Sequence, residues 1–144
     1  MPTTFRVDIV AGLMTILDAF KAANPTLLRR TFPVRPPHFN TDLPLAFVGD
    51  RPESTNHDVQ TRTRIVSVSV TFVDRITDNT ETMARMDILV DKFADHLTTY
   101  PHITSNTIWN RWTTLDEQID VGDGTSLQAV TFTVNDLSIS EGRA

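Results

Sequence analysis

Residues 48–58 read VGDRPESTNHD and bring Asp50, Arg51, Glu53, His57 and Asp58 into one short polar stretch. Carboxylates and an imidazole are the side chains of divalent-metal sites and of general acid–base chemistry. Asp50, His57 and Asp58 could ligate a cation if the stretch folded back on itself. The same residue types also fill ordinary solvated turns. His38, His96 and His102 add no pair at i, i+4 spacing, and H-E-x-x-H does not occur. Asp116, Asp120 and Asp123 flank a Gly turn but lack the alternating pattern of an EF-hand loop. The solvated reading is preferred, and no metal ligand is assigned.

Other catalytic arrangements fare no better. The chain has no cysteine, which excludes disulfides, thiolate nucleophiles and Cys-bound zinc. It has no G-x-S-x-G, no S-x-x-K, and no G-x-G-x-x-G among its five glycines. Asp87, Asp91 and Asp95 recur every four residues, which sets them on one helical face. Nothing nearby marks a low-dielectric pocket, so they read as a solvated face. The expectation is a protein that is not an enzyme, with no catalytic residue and no cofactor.

Charge placement is more informative. The chain has 144 residues, 13 basic and 18 acidic, for a formal charge of −5. That balance argues against nucleic acid as the main partner. Residues 19–41 carry Lys21, Arg29, Arg30 and Arg35 and no acid, whereas 112–142 carry Asp116, Glu117, Asp120, Asp123, Asp136 and Glu141 and no Lys or Arg. Only Lys21 and Lys92 are lysines; the other eleven basic residues are arginine, the cation suited to interfaces. Phe32 and Phe39 interleave with the Arg cluster in the manner of a weak single-strand stacking surface, but packing of the two rings is the simpler reading. Trp109 and Trp112 are candidate partner anchors, with one of them expected in the core.

The elements that must position these residues follow from periodicity. Phe5, Ile9, Leu13, Ile16, Leu17 and Phe20 fall on one helical stripe, ended by Asn24-Pro25. Pro25, Pro33, Pro36 and Pro37 predict an extended connection with one short strand near Arg30–Val34. LPLAFV (43–48) reads as a short strand entered through Pro44, residues 49–60 as a loop, and TRTRIVSVSVTFVDR as a long strand. In that strand Val66, Val68, Val70 and Phe72 face the core, and Ser67, Ser69 and Thr71 predict a solvated or partner-facing opposite side. A second amphipathic helix is expected over about 81–98, on Met83, Met86, Val90, Phe93 and Leu97. A strand over 103–115, a turn at 121–124 and a last strand over 127–134 follow, with 135–144 as a loose tail. The expected fold is α+β: one domain, with an antiparallel or mixed sheet of about four to five strands and two amphipathic helices packed on one face. No apolar run reaches the ~18 residues of a membrane helix. MPTTFRVDIV lacks the signal-peptide pattern, so the expectation is a soluble protein made in the cytoplasm, with no membrane partner.

The order of these segments resembles that of the tail terminator proteins of long-tailed bacteriophages, also called tail completion or tail-to-head joining proteins. The likeness rests on FRVDIVAGLMTILDAFKAA, the Pro-rich arm RRTFPVRPP, the Pro-entered strand DLPLAFVG, the long strand RTRIVSVSVTFVDR, the helix ETMARMDILVDKFADHL and the late strand SLQAVTFTV. The resemblance implies an α+β virion subunit that closes into a ring of about six copies. The ring would cap the tail tube, end its polymerisation and dock on the head connector, with DNA passing through the lumen without specific binding. The implied partners are the chain itself, the tube protein and the head-completion protein. Another neck or head-closure component and a small non-enzymatic binding module stay open beside it. In a ring, Arg29, Arg30, Arg35, Asp50, Arg51, Glu53, Asp58, Asp116, Glu117 and Asp120 become candidate interface residues. A loop of about 12 residues over 49–60 would then reach a neighbour or the tube.

Overall fold

The computed structural model describes residues 5–37, 43–49, 51–57, 61–76, 79–100, 103, 111–120 and 126–142. Helix α1 spans Phe5–Ala23, and its buried residues are the expected stripe: Phe5, Ile9, Leu13, Ile16, Leu17 and Phe20. The helix stops at Asn24. The Asn24 amide and side chain both donate to the Phe20 carbonyl (2.9 and 3.1 Å), and Pro25 cannot extend the ladder.

The described residues add a second helix, α2 (Asn79–Leu97), and six strands: β1 (Arg30–Phe32), β2 (Leu45–Val48), β3 (Glu53–His57), β4 (Thr61–Arg75), β5 (Arg111–Asp120) and β6 (Ser126–Gly142). They form one sheet in the order β1-β2-β4-β6-β5, with β3 also paired to β4. β1 runs parallel to β2; every other pairing is antiparallel. The fold is α+β with a mixed sheet, one strand richer than expected.

The extra strand lies in the stretch expected to be a loop. β2 and β3 lie end to end along the same edge of β4. Val48 pairs with Val70 and Glu53 with Val66, so four residues (49–52) stand against three of β4 (67–69). The Gly49 amide donates to the Ser69 carbonyl (2.8 Å) and the Ser67 amide to the Pro52 carbonyl (3.0 Å), so the ladder continues across the gap. β2 and β3 are therefore two halves of one strand, separated by a one-residue bulge. On the other side of β4, Asn135 and Asp136 lie opposite Ser67 alone, a second bulge at the same level. Residues 135–142 are not a loose tail; they continue β6 along the first half of β4. β5 holds the last five residues of the expected 103–115 strand, Arg111–Leu115, and runs on to Asp120; residues 104–110, with Trp109, lie outside the described residues. The expected turn at 121–124 also lies outside them.

Both helices pack on one face. Ala46, Val48, Val66, Val68, Val70, Phe72, Val130, Phe132, Val134 and Leu137 meet the apolar stripes of α1 and α2 in one cluster. Phe93 of α2 sits at its centre, with ring centroids 5.4 Å from Phe20, 5.1 Å from Phe72 and 5.1 Å from Phe132, all edge-on. His96, one turn on, lies against Phe20 and Tyr100, and its Nε2 donates to the Ile16 carbonyl (3.1 Å), joining the two helices. Arg85 pairs with the buried Asp74 at 3.2 Å, fixing the start of α2 to the end of β4. Gly12 lets α1 lie against the Ile103 carbonyl, where a Cβ would collide.

The opposite face corrects an expectation. Ser69 and Thr71 are buried, not solvated. Thr71 pairs with Phe47 on one side and with Thr131 on the other, and the two threonine hydroxyls are 3.1 Å apart. Leu45, Phe47, Val73, Leu127 and Ala129 form a second apolar cluster around them, joined by Phe32 and Leu43. Small hydroxyl residues between large apolar neighbours are shaded by them.

Phe93→Ala removes the ring shared by both helices and both central strands. A loss of about 3–5 kcal/mol is expected, larger than for any other single α2 truncation, and urea unfolding of the variant measures it.

Candidate functional site

The described residues hold no group of three or more His, Asp or Glu side chains placed for a metal ion. His38, Phe39, Asp50, Asp58 and His102 lie outside the described residues, and for His57 the backbone alone is described, paired with Arg62 in β3. Asp87, Asp91 and Asp95 are exposed on the outer face of α2. The residues that remain for function are surface charges, among them two groups on opposite sides of the sheet.

The cations gather on the β1–β2–β3 side. Arg29 is exposed just before β1, with its amide bound to the Pro44 carbonyl (2.8 Å). Arg30 lies over the Phe32 ring at 5.2 Å and Arg35 over Phe47 at 6.0 Å. Since Phe32 and Phe47 are register partners, the two guanidinium groups sit side by side over the second apolar cluster. Arg51, in the bulge between β2 and β3, forms no ion pair or hydrogen bond among the described residues.

The acids lie on the opposite edge. Among the described residues β5 is the last strand of the sheet, and residues 112–118 are exposed on both of its faces. Asp116 and Glu117 are exposed there without a partner among the described residues; Asp120 closes the strand opposite Ser126. Leu115 beside them is 66% exposed. Trp112 stacks on Phe132 (5.6 Å, 21°), so it roofs the core and is only partly exposed.

Glu53, one of the candidate interface residues, is the centre of an internal cluster. Its carboxylate accepts two bonds from Arg64 (Nε 2.8 Å, Nη2 3.0 Å) and one from Arg6 of α1 (3.3 Å). The bulge produces this: Glu53 is opposite Val66, which faces the helices, so Glu53 faces them too. Arg64 in turn lies over the Phe5 ring at 4.9 Å. The fork of Arg64, and after it the Arg6 charge, hold the Glu53 carboxyl at about 2, although burial opposes the shift.

Beside this cluster lies a groove of about 620 Å³. Val7, Val10 and Met14 of α1 form one wall, Pro33 and Val34 the other, and Arg6, Arg51 and Arg64 the rim. Val7 and Val34 are 67% and 59% exposed. The periodic signal for the groove is present in the sequence. Val7, Val10 and Met14 form a second apolar line beside the buried stripe of α1, on a face that a two-sided helix gives to polar residues. Among the described residues no helix is long and apolar enough to cross a membrane.

Because the folded-state carboxyl of Glu53 lies below the unfolded value of 4.5, its contribution is full above that value and fades as pH falls toward 2. The shift sets an upper bound of roughly 3 kcal/mol, and solvent screening lowers it, since the Arg6 side chain is 44% exposed. Glu53→Gln is expected to cost about 1.5–3 kcal/mol at pH 7 and far less near pH 2, a difference that urea unfolding at the two pH values reads directly.

Comparison with known protein families and with curated proteins finds no family model and no curated relative that matches this chain.

Proposed function

We propose that this chain is a structural ring subunit of the tail terminator kind, which caps a phage tail tube, ends its polymerisation and joins it to the head connector. One observation carries the reading: the cations Arg29, Arg30 and Arg51 and the acids Asp116 and Glu117 lie on opposite sides of a single sheet. A subunit that closes a ring needs two different, complementary patches, because each copy meets the next head to tail. Arg29, Arg30 and Arg51 stand on one side and Asp116 and Glu117 on the other. The acidic total suits a lumen that lets DNA slide without holding it. The resemblance in the order of elements, from the α1 segment through the late strand SLQAVTFTV, supports the same reading. Virion localisation, the tube protein and the head-completion protein as partners, and the absence of an enzymatic role all belong to this proposal.

The groove favours a second reading, a small non-enzymatic binding module. Its volume falls in the range of small-molecule sites, and its walls are apolar with a cationic rim.

Native mass measurement separates the two: closed oligomers favour the ring, a stable monomer the module. Arg29→Glu with Arg30→Glu is expected to weaken assembly, and Asp116→Arg with Glu117→Arg to restore it in part when the two pairs are combined. Size-exclusion mass determination of the four proteins gives the answer, and an Arg pair whose reversal changes nothing contradicts the charge-matched interface.

A further inference from the structure

We infer that the groove between α1 and the Pro33–Val34 segment is the receptor for the β5 edge of a second copy of this chain, with Leu115 seated in the groove and Glu117 on Arg51. The inference rests on the ring reading and assigns its contact.

Three observations lead to it. First, groove and edge are complementary in kind. The groove exposes Val7 and Val34 beneath an Arg51 that has no partner among the described residues. β5 exposes Leu115 with Glu117 two residues on. Alternate strand residues share a face, so Leu115 and Glu117 project together, about 7 Å apart along the strand. An apolar knob with an acid beside it matches an apolar slot with a cation beside it.

Second, among the described residues β5 pairs with β6 along one edge only, and the sheet order ends there. Such an edge has backbone donors and acceptors directed outward, which favours association in the absence of a blocking device. β5 contains no Pro; its acids Asp116, Glu117 and Asp120 disfavour pairing with an identical edge and favour a cationic partner surface.

Third, the two surfaces lie on opposite sides of the sheet. The groove borders the β1 and β2–β3 side, and β5 ends the other. A contact between them is head to tail. It leaves one free groove and one free edge on every partial assembly, which only ring closure can satisfy. An isologous dimer would not use both.

The absence of native cysteine makes the test direct. Val34→Cys and Leu115→Cys are made singly and together; both sites are exposed, so the fold is retained, and an unchanged melting temperature verifies this. With a short bismaleimide, a mixture of the two single variants is expected to give dimers joined between position 34 of one copy and position 115 of the other. Neither single variant alone should cross-link efficiently, and the double variant should give a covalent ladder ending at the ring. Leu115→Asp should raise the concentration for half-assembly by at least about tenfold, and Glu117→Arg should be rescued by Arg51→Glu. Rings by native mass without products joined between these two positions refute the groove contact and leave the ring reading standing, as do products from Leu115→Cys alone. A chain that stays monomeric at all concentrations refutes both. A monomer whose groove instead binds laurate, with Val34 and Val7 resonances shifting, assigns the groove to a small amphiphile and refutes the second copy as its occupant.

Discussion

One aromatic ring ties this fold together. Phe93 reaches from α2 to Phe20 of α1, Phe72 of β4 and Phe132 of β6, each within 5.4 Å. Edge-on aromatic contacts of this kind add to the area that the rings bury and fix their orientation. Both helices are thereby fastened to the two central strands, while His96 closes the gap between the helices through the Ile16 carbonyl. α2 lies over β4 and β6 and α1 over the β1–β2 side, where it walls the groove, while β5 at the other side stays exposed on both faces. The surfaces proposed to join copies lie at those sides.

A second constraint shapes one of them. At the level of Ser67, the strands on either side of β4 each carry one extra residue. On the β6 side the bulge reverses the alternation, so that Leu137 joins Val130, Phe132 and Val134 in the core despite its odd spacing from them. On the β2–β3 side it turns Glu53 inward to Arg64 and Arg6 and leaves Arg51 at the groove rim. The acid anchors the N-terminal end of α1 to the sheet, and Arg51 faces the groove. A residue that could have been one more surface charge became part of the scaffold that shapes the groove.

Much of the scaffold was readable from pattern. The α1 stripe, the long β4 and the short β1 follow from periodicity and from proline placement, because each buries one regular face. β3 was hidden because ESTNH has no apolar alternation; it is held by backbone pairing to β4 and by the Glu53 cluster. The end of β6 was hidden because a bulge at Asn135–Asp136 breaks the period-two pattern, so a continuing strand resembles a tail. The second half of β5, Asp116–Asp120, was hidden because the strand is exposed on both faces from 112 to 118 and shows no apolar alternation there. Opposite charge on 19–41 and 112–142 was visible in composition, but the sheet order that puts Arg29 and Asp116 on opposite sides depends on pairings about sixty residues apart, such as Thr71 with Thr131. Burial of Ser69 and Thr71 has the same origin, since Phe47 and Thr131 reach them only through the sheet.

A chain with Arg29, Arg30 and Arg51 beside a groove and, among the described residues, an unpaired acidic edge at β5 should assemble head to tail until it closes. Negative-stain electron microscopy of the purified protein decides whether it does. Uniform closed rings with a central hole and one copy number are expected. A field of single small particles at every concentration, or of two-fold dimers without a lumen, would contradict head-to-tail closure.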